Sequence, residues 1–307
     1  MSAVSIEKES IMQKRQDVEK TAAAHPVASV VTLSTTGTIA SNPSKAGFAW
    51  AATSRRFFEW VLPPVIGLCI FTAIWAVVSA RSPGLPGPLL TWHSAVELFK
   101  DPFYINNPND MGIGWNILNS LKRVGLGFAM AAVVGIPAGF LIGRYAFMSN
   151  MAAPIISLLK PVSPLAWLPI GLMVFKAADP AAIWVIFITA VWPMIINTAV
   201  GVSKVPQDYL NVARVLNLSE WKVFSKILFP YVMPYMMTGV RLSIGTAWLV
   251  IVAAEMLTGG VGIGFWVWDE WNNLNVEHII IAIFIVGIVG LLLEQALMLI
   301  ARQFSYE

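Results

Sequence analysis

Six stretches of about twenty apolar residues, separated by polar or charged segments, make up most of the chain after residue 57. A helix needs roughly twenty residues to cross the hydrocarbon core of a bilayer, and it satisfies its own backbone hydrogen bonds there. The pattern therefore predicts an all-α polytopic membrane protein. We expect its six transmembrane helices at about 58–79, 124–143, 152–175, 181–202, 231–257 and 279–301.

The third stretch is the least typical of a lipid-facing helix. It contains Lys160, Pro161, Pro164 and Pro169, and a proline removes a backbone donor and clashes with the preceding turn. Irregular backbone at membrane depth is tolerated only against protein or a water-filled cavity. We therefore expect this span to kink or unwind at such a place.

Composition supports the membrane class and narrows the chemistry. Hydrophobic residues make up 57% of the chain and charged residues 12%, whereas about a quarter of a soluble domain is charged. The one cysteine, Cys69, lies in an apolar stretch and the three histidines are scattered, so we expect neither a disulfide nor a metal site. The formal charge of +3 is dispersed, without the basic, aromatic face of a nucleic-acid interface.

Polarity divides the chain into two parts and sets its orientation. Residues 1–54 are polar and rich in small residues, which predicts a disordered tail, and residues 55–307 form the transmembrane domain. With the amino terminus inside, the basic residues left outside are few: Arg81, Lys100, Lys122, Arg123 and Lys176. Because basic residues favour the cytoplasmic side, both termini are expected there.

Two connections between the spans differ in character. Residues 81–116 are rich in Pro, Gly and Asn, and are expected to form an external loop that offers surface to an external partner. Residues 203–229 are amphipathic and lie on the cytoplasmic side in this orientation. This second connection carries the strongest functional signal in the chain.

Residues 211–230 read NVARVLNLSEWKVFSKILFP and resemble the EAA loop of ABC importer permeases. That loop has the pattern Glu-Ala-Ala, three residues, Gly, nine residues, Ile-x-Leu-Pro. The matches are Ala213, Ile227 and Pro230. The departures are Asn211 for Glu, Val212 for the first Ala, Asn217 for Gly and Phe229 for Leu. An amphipathic loop that matches by chance is the alternative.

The pattern has a physical purpose. A short helix, a break that tolerates left-handed backbone, and a second helix form a knob that docks into a groove of an ATPase, and Asn217 is a mild departure because Asn often replaces Gly at such a break. The candidate docking contacts are Arg214, Glu220, Trp221 and Lys222. The residues expected to pack the knob are Val212, Leu216 and Leu218.

Further segments extend the resemblance over most of the chain after residue 57. PVSPLAWLP (161–169), TAVGV (198–202) and TGVRLSIGTAW (238–248) resemble the sulfonate, taurine and nitrate branch of these permeases. AAEMLTGGVGIGF (253–265) and WDEWNNLNVEHI (268–279) resemble the cyanobacterial nitrate/nitrite permeases most, and the bicarbonate permeases are nearly as good a match.

The resemblance implies a type I ABC importer permease fold with cytoplasmic coupling helices. It places the protein in the inner plasma membrane of a bacterium, specifically a cyanobacterium. It also implies a homodimer, two cytoplasmic ATPase subunits that differ in the nitrate system, and an external lipid-anchored substrate-binding protein. The chain has no Gly-x4-Gly-Lys-Ser/Thr phosphate loop, so ATP and Mg²⁺ are expected on the ATPase partners. We expect no bound cofactor and no catalytic residue here, and inward movement of nitrate or nitrite by alternating access.

Other functions stay open at this point. The cargo of the same machine could be bicarbonate or a small sulfonate. An ion-gradient transporter would call for inverted repeats and more buried carboxylates. A membrane-bound enzyme would call for a His-rich or carboxylate-rich motif, and neither pattern is present in the sequence.

Ionisable residues inside a span mark candidate transport sites, because burying charge in lipid is costly. We single out Arg241, Lys160 and Glu255. Arg241 lies ~15 Å into the fifth span at 1.5 Å per residue, and a guanidinium can give planar nitrate two parallel hydrogen bonds. The structural alternative for Arg241 is an ion pair, and for Lys160 it is neutralisation of carbonyls freed by Pro161.

Helical spacing ranks the neighbours of Arg241. Thr238 and Gly245 share its face and are expected to line the pathway, whereas Thr246 is expected to lie off that face. The weaker pathway candidates are Asn197 and Trp192. Glu255 lies ~20 Å further along the helix, and is expected to form a gating or structural ion pair with some other residue.

Two polar clusters near the external ends complete the candidates. The glycines at 259, 260, 262 and 264 are expected to form a flexible turn, since no strand precedes them as in a dinucleotide-binding loop. Asp269, Glu270 and Glu277 have no neighbouring nucleophile and are interpreted as docking or helix-start residues.

Overall fold

The structure is a computed structural model that describes residues 45–107 and 110–302, with side chains for residues 61–107 and 110–301. The helices of this part of the chain are α1 (Lys45–Arg81), α2 (Pro88–Leu98), α3 (Ile113–Arg144), α4 (Ala146–Leu159), α5 (Leu168–Phe175), α6 (Ala178–Ser203), α7 (Gln207–Val215), α8 (Glu220–Val223), α9 (Phe229–Thr258), α10 (Ile263–Asn272) and α11 (Val276–Arg302). A 3-10 turn (Pro164–Trp167) precedes α5, a π-helical turn (Phe224–Leu228) joins α8 to α9, and β1 (Ile105–Asn107) pairs with β2 (Asp110–Met111) in an antiparallel hairpin.

The membrane-spanning pattern is confirmed with one change. Among the described residues, the segments long and apolar enough to cross a membrane singly are Val61–Arg81, Ile113–Arg144, Ala178–Ser203, Glu220–Thr258 and Val276–Ala301. They contain the predicted spans two, four, five and six, and they overlap the predicted span one from residue 61 onward. The chain is thus an all-α polytopic protein, with a sixth span only if the bent region between α4 and α5 crosses the membrane as one unit.

The predicted third span, residues 152–175, is broken. α4 and the segment Pro164–Phe175 meet at 95°, so the expected kink is present but it produces two helices at right angles. α4 ends at Leu159 and its C-cap, Lys160, is still in the α conformation. The break follows at Ser163, which has ψ 128°, because Pro164 disfavours the α conformation of the residue before it. The further prolines at 164 and 169 then restart the helix in a new direction.

Several predicted boundaries are corrected by the structure. Residues 45–54, assigned to the disordered tail, are helical, and the rest of that tail lies outside the described residues. The predicted external loop 81–116 contains α2, the hairpin and the start of α3. The loop was predicted from its Pro, Gly and Asn content, but α2 begins at Pro88 directly after Gly87, at a helix start where the missing N–H of a proline costs nothing.

Close packing of α6 against α3 and α9 forms the centre of the bundle. A Cβ added at Gly127 or Gly139 of α3 would lie 2.7 Å from Ile186 Cβ or 2.6 Å from Thr198 Cβ of α6. A Cβ at Gly239 of α9 would lie 2.8 Å from the carbonyl oxygen of Pro193. Small residues allow membrane helices to approach closely, because packing rather than water exclusion holds them together.

Candidate functional site

The segment formed by residues 203–229 has the helix–break–helix form that the resemblance implied. α7 ends at Val215, and Asn217 adopts φ 47°, in the left-handed region. The Asn217 N–H donates to the Arg214 carbonyl at 3.0 Å, and the Leu218 N–H donates to the Ala213 carbonyl at 3.0 Å. These two bonds form a Schellman motif, whose left-handed position favours Gly and accepts Asn. Asn217 therefore makes the turn that the pattern assigns to Gly.

One side of the 203–229 segment is anchored to the membrane helices. Its buried apolar side chains pack with those of α3 and α9 in one cluster: Phe140, Leu210, Ala213, Val223, Leu228, Val232 and Met236. The Tyr231 hydroxyl donates to the Lys204 carbonyl at 3.0 Å, and Glu220 lies 3.8 Å from Arg144 at the end of α3. The segment thus contacts the ends of α3, α6 and α9.

The opposite side of the segment is apolar and exposed. Val212, Val215 and Leu216, spaced for one helical face, are 56%, 82% and 63% exposed, and Trp221 is 73% exposed. We expected Val212 and Leu216 to pack the segment, and this is wrong because the buried face of α7 is the one that carries Ala213. Leu218 packs as expected. A cluster of exposed apolar side chains is typical of a protein interface.

The remaining candidate contacts of this segment lie at its surface. The Arg214 guanidinium donates to the Asn211 side-chain carbonyl at 3.2 Å, and Lys222 is exposed. Pro230 stands in the first turn of α9, directly after the π-helical turn, so its missing N–H falls where the hydrogen-bond register changes from the π-turn to the α-helix.

Arg241, in the middle of α9, has a partner that the sequence analysis did not name. Its Nε and Nη2 donate to Glu294 Oε1 of α11 at 2.9 and 2.5 Å. The two side chains are 50% and 47% exposed. Glu294 lies inside the predicted last span, so the cost of a charge within a span should have marked it as it marked Arg241.

A groove of about 600 Å³ between α9 and α11 contains this ion pair. Thr238 and Gly245 line it beside Arg241, in agreement with their shared helical face. Thr246 also lines the groove, so its exclusion was wrong, because the wall of a wide groove takes more than one face of α9. A Cβ at Gly245 or Gly287 would meet no atom within 4 Å, so both walls are open there.

The other pathway candidates lie elsewhere. Lys160 is exposed at the end of α4. The Asn197 amide donates to the Pro193 carbonyl of its own helix at 2.8 Å, and Trp192 packs against the main apolar core. These three residues are not among those that line the groove around Arg241.

Glu255, near the other end of α9, is 1% exposed and lies in a polar network. Arg123 Nη1 of α3 donates to its carboxylate at 2.6 Å, the Ser120 hydroxyl approaches it at 2.7 Å, and the Gly264 N–H donates at 3.0 Å. Arg123 also reaches Asp179 of α6 at 2.6 Å. The predicted ion pair of Glu255 therefore has Arg123 as its partner, a residue that the sequence places only among the few external basic residues.

The turn between α9 and α10 is held by this network, so the expected flexible turn is corrected. Arg123 donates to the Val261 carbonyl at 2.7 Å, the Gly262 N–H donates to Asn116 Oδ1 at 2.9 Å, and the Ile263 N–H donates to Ser120 Oγ at 2.9 Å. A Cβ at Gly262 would lie 2.4 Å from the Glu255 carboxyl carbon. The glycines serve close approach to the carboxylate.

The carboxylate cluster at 269, 270 and 277 is divided between contacts. Glu270 lies 3.0 Å from His278 Nδ1, and the Ser94 hydroxyl of α2 donates to Glu277 at 2.9 Å. Glu277 is in the first turn of α11, where a negative charge favours the helix dipole. Its helix-start interpretation fits this position.

Comparisons with known proteins identify relatives that are also membrane-spanning transport subunits. Residues 135–305 match the family model described as binding-protein-dependent transport system inner membrane component. The chain is 49% identical over 236 residues to the nitrate import permease protein NrtB of Synechocystis sp., covering 76% of this chain and 86% of that protein. It is 45% identical over 241 residues to the bicarbonate transport system permease protein CmpB of the same organism, covering 77% and 86%. An inward-facing structure of the MetNI methionine ABC transporter superposes with a TM-score of 0.54 at 15% identity, covering 62% of this chain and 95% of that one. This likeness shows the fold of an ABC importer permease.

Proposed function

The chain belongs to the family of binding-protein-dependent transport system inner membrane components, and we propose that it is the permease subunit of an ATP-driven importer of nitrate or nitrite. The observation that carries the cargo is the 49% identity to a nitrate import permease along 86% of that protein's length. The subunit itself is a non-catalytic, multi-pass membrane protein. It moves the anion inward by alternating access.

In the proposed assembly, two copies of this subunit associate with two non-identical ATPase subunits, which bind ATP and Mg²⁺. An external lipid-anchored binding protein delivers the anion. Residues 55–307 form the membrane domain of the permease, and both of its termini are cytoplasmic. The exposed apolar cluster around Val212, Val215, Leu216 and Trp221 supports ATPase docking at the 203–229 segment, because such a cluster on a single chain suits a protein partner.

The proposed anion contact is Arg241. A half-exposed ion pair within two membrane helices would be costly against lipid. This face is therefore better suited to a second protein chain or a water-filled pathway, and its groove of about 600 Å³ leaves room for a small anion. Thr238 and Gly245 lie beside the guanidinium on the same wall.

Glu255 has a different proposed role. It is separated from the groove, buried, and bound to α3 and to the 259–264 turn. A buried carboxylate that already has this many donors has little capacity left for a cargo. We assign it to a structural ion pair that holds the external ends of α3 and α9 together.

Bicarbonate is the second candidate cargo, on the strength of the 45% identity to a bicarbonate permease. The deciding experiment is ATP-driven uptake of labelled nitrate by the reconstituted complex, with unlabelled nitrate, nitrite, bicarbonate or a small sulfonate as competitors. The proposal expects nitrate and nitrite to reduce uptake of the label at the lowest concentrations. Uptake of labelled bicarbonate in place of nitrate would show that the cargo assignment is wrong.

A further inference from the structure

The contact between Arg241 and Glu294 has the geometry of an anion site that is already filled. Both donor nitrogens, Nε and Nη2, meet the same carboxylate oxygen, at 2.9 and 2.5 Å. These two nitrogens form one of the two guanidinium edges at which a planar oxyanion can accept two hydrogen bonds. Nitrate, planar with terminal oxygens like a carboxylate, would compete with Glu294 for this edge and for the positive charge of the guanidinium.

The surroundings allow the carboxylate to leave. Glu294 is 47% exposed and stands on α11, while Arg241 stands on α9, so the pair joins two separate walls of the groove. The walls are open at Gly245 and Gly287, and the groove is about 600 Å³. A rotation of the Glu294 side chain into this space would free the guanidinium edge without a change in either helix.

From this geometry we propose that Glu294 is a displaceable substitute for the transported anion, and the proposal rests on Arg241 being the anion contact. Glu294 occupies the guanidinium edge when the pathway is empty, and gives it up when an oxyanion arrives. The apparent affinity for the anion is lowered by the fraction of molecules in which the pair is closed. Return of the carboxylate then drives the anion off Arg241, which a transport site needs for release.

The test is nitrate binding to the purified complex in lipid nanodiscs without the binding protein, since affinity for the permease is then measured alone. The half-saturating nitrate concentration, which is the apparent Kd, is obtained by fitting the rise in Tm, because that rise grows with the logarithm of the nitrate concentration above Kd. If the pair is closed in nine of ten molecules, Glu294→Gln lowers that concentration about tenfold. The same variant should slow nitrate uptake when the nitrate-loaded binding protein is present at a saturating concentration, because nitrate is then released more slowly from Arg241. Arg241→Gln should abolish the nitrate-dependent rise in Tm.

Matched variants separate this role from a structural one. Glu294→Asp keeps the charge on a shorter side chain, so its half-saturating concentration should fall between those of the parent and Glu294→Gln. Glu97→Gln, at an exposed glutamate of α2 outside the groove, should match the parent. If the pair is purely structural, Glu294→Gln and Glu294→Asp should lower the Tm measured without nitrate and leave the half-saturating nitrate concentration unchanged or higher. That result would overturn the proposal. If the parent complex fails to import nitrate at all, the proposed function is at fault instead.

Discussion

Replacement of Arg123 by Gln tests the network that holds the external turn. Arg123 and Glu255 are only 9% and 1% exposed, and their closest charged atoms lie 2.6 Å apart. Removing one partner of a buried ion pair costs about 3–5 kcal/mol, since the other charge stays buried without compensation. The second partner of Arg123, Asp179, is 67% exposed, so its loss contributes less than about 1 kcal/mol. We expect Arg123→Gln to lower the free energy of unfolding by about 3–5 kcal/mol.

Equilibrium unfolding of the purified subunit in mixed detergent micelles measures this loss. Asp179→Asn should cost less than about 1 kcal/mol, and Arg81→Gln, at an exposed arginine of α1, should fall within about 0.5 kcal/mol of the parent. Amide hydrogen exchange of Gly264, whose N–H donates to Glu255, should become faster in Arg123→Gln because the turn opens locally.

The double variant Arg123→Gln/Glu255→Gln supplies the refutation. Because it removes both buried charges, its loss should be smaller than the sum of the two single losses by about 0.5–3 kcal/mol. Strictly additive losses, or an Arg123→Gln protein as stable as the Arg81→Gln control, would mean that the pair does not hold the turn.

Two further predictions concern backbone positions. At Asn217, where φ is 47°, replacement by Gly should leave the free energy of unfolding unchanged and the nitrate-dependent ATP hydrolysis of the complex within about twofold of the parent. Replacement by β-branched Val should lower the free energy of unfolding by about 1–2 kcal/mol and uncouple hydrolysis from uptake. Equal behaviour of the two variants would contradict the left-handed turn. Gly139→Ala should destabilise by about 1–3 kcal/mol, since the new Cβ would lie 2.6 Å from Thr198 Cβ, while Gly125→Ala in the same helix has open space within 4 Å and should be neutral or slightly stabilising in the same unfolding assay.

The membrane-spanning pattern was predictable because hydrocarbon imposes length and hydrophobicity on each helix. The turn at Asn217 was predictable for a similar reason, since few residues tolerate left-handed backbone. The right angle after Lys160 was only half predictable. Prolines indicate that a helix stops, but the direction in which the chain restarts depends on packing against other helices.

The pairing partners were the main failure of the sequence analysis. Glu294 carried the same signal as Arg241, a charge inside a span, and that signal was not applied to it. The orientation count places Arg123 among the few external basic residues, and its burial depends on Glu255, which lies 132 positions later. The roles of Val212 and Leu216 were misread because an amphipathic helix shows which residues share a face but not which face is buried.

The most direct measurement of the central claim is labelled nitrate uptake into proteoliposomes that contain this subunit, its binding protein and its ATPase subunits. A permease that is driven by its partners predicts uptake against a concentration gradient only with ATP, Mg²⁺ and both kinds of partner present. Uptake should vanish when the ATPase subunits are left out or ATP is replaced by a non-hydrolysable analogue. Concentrative uptake that persists without the ATPase subunits, driven by an ion gradient alone, would contradict the account.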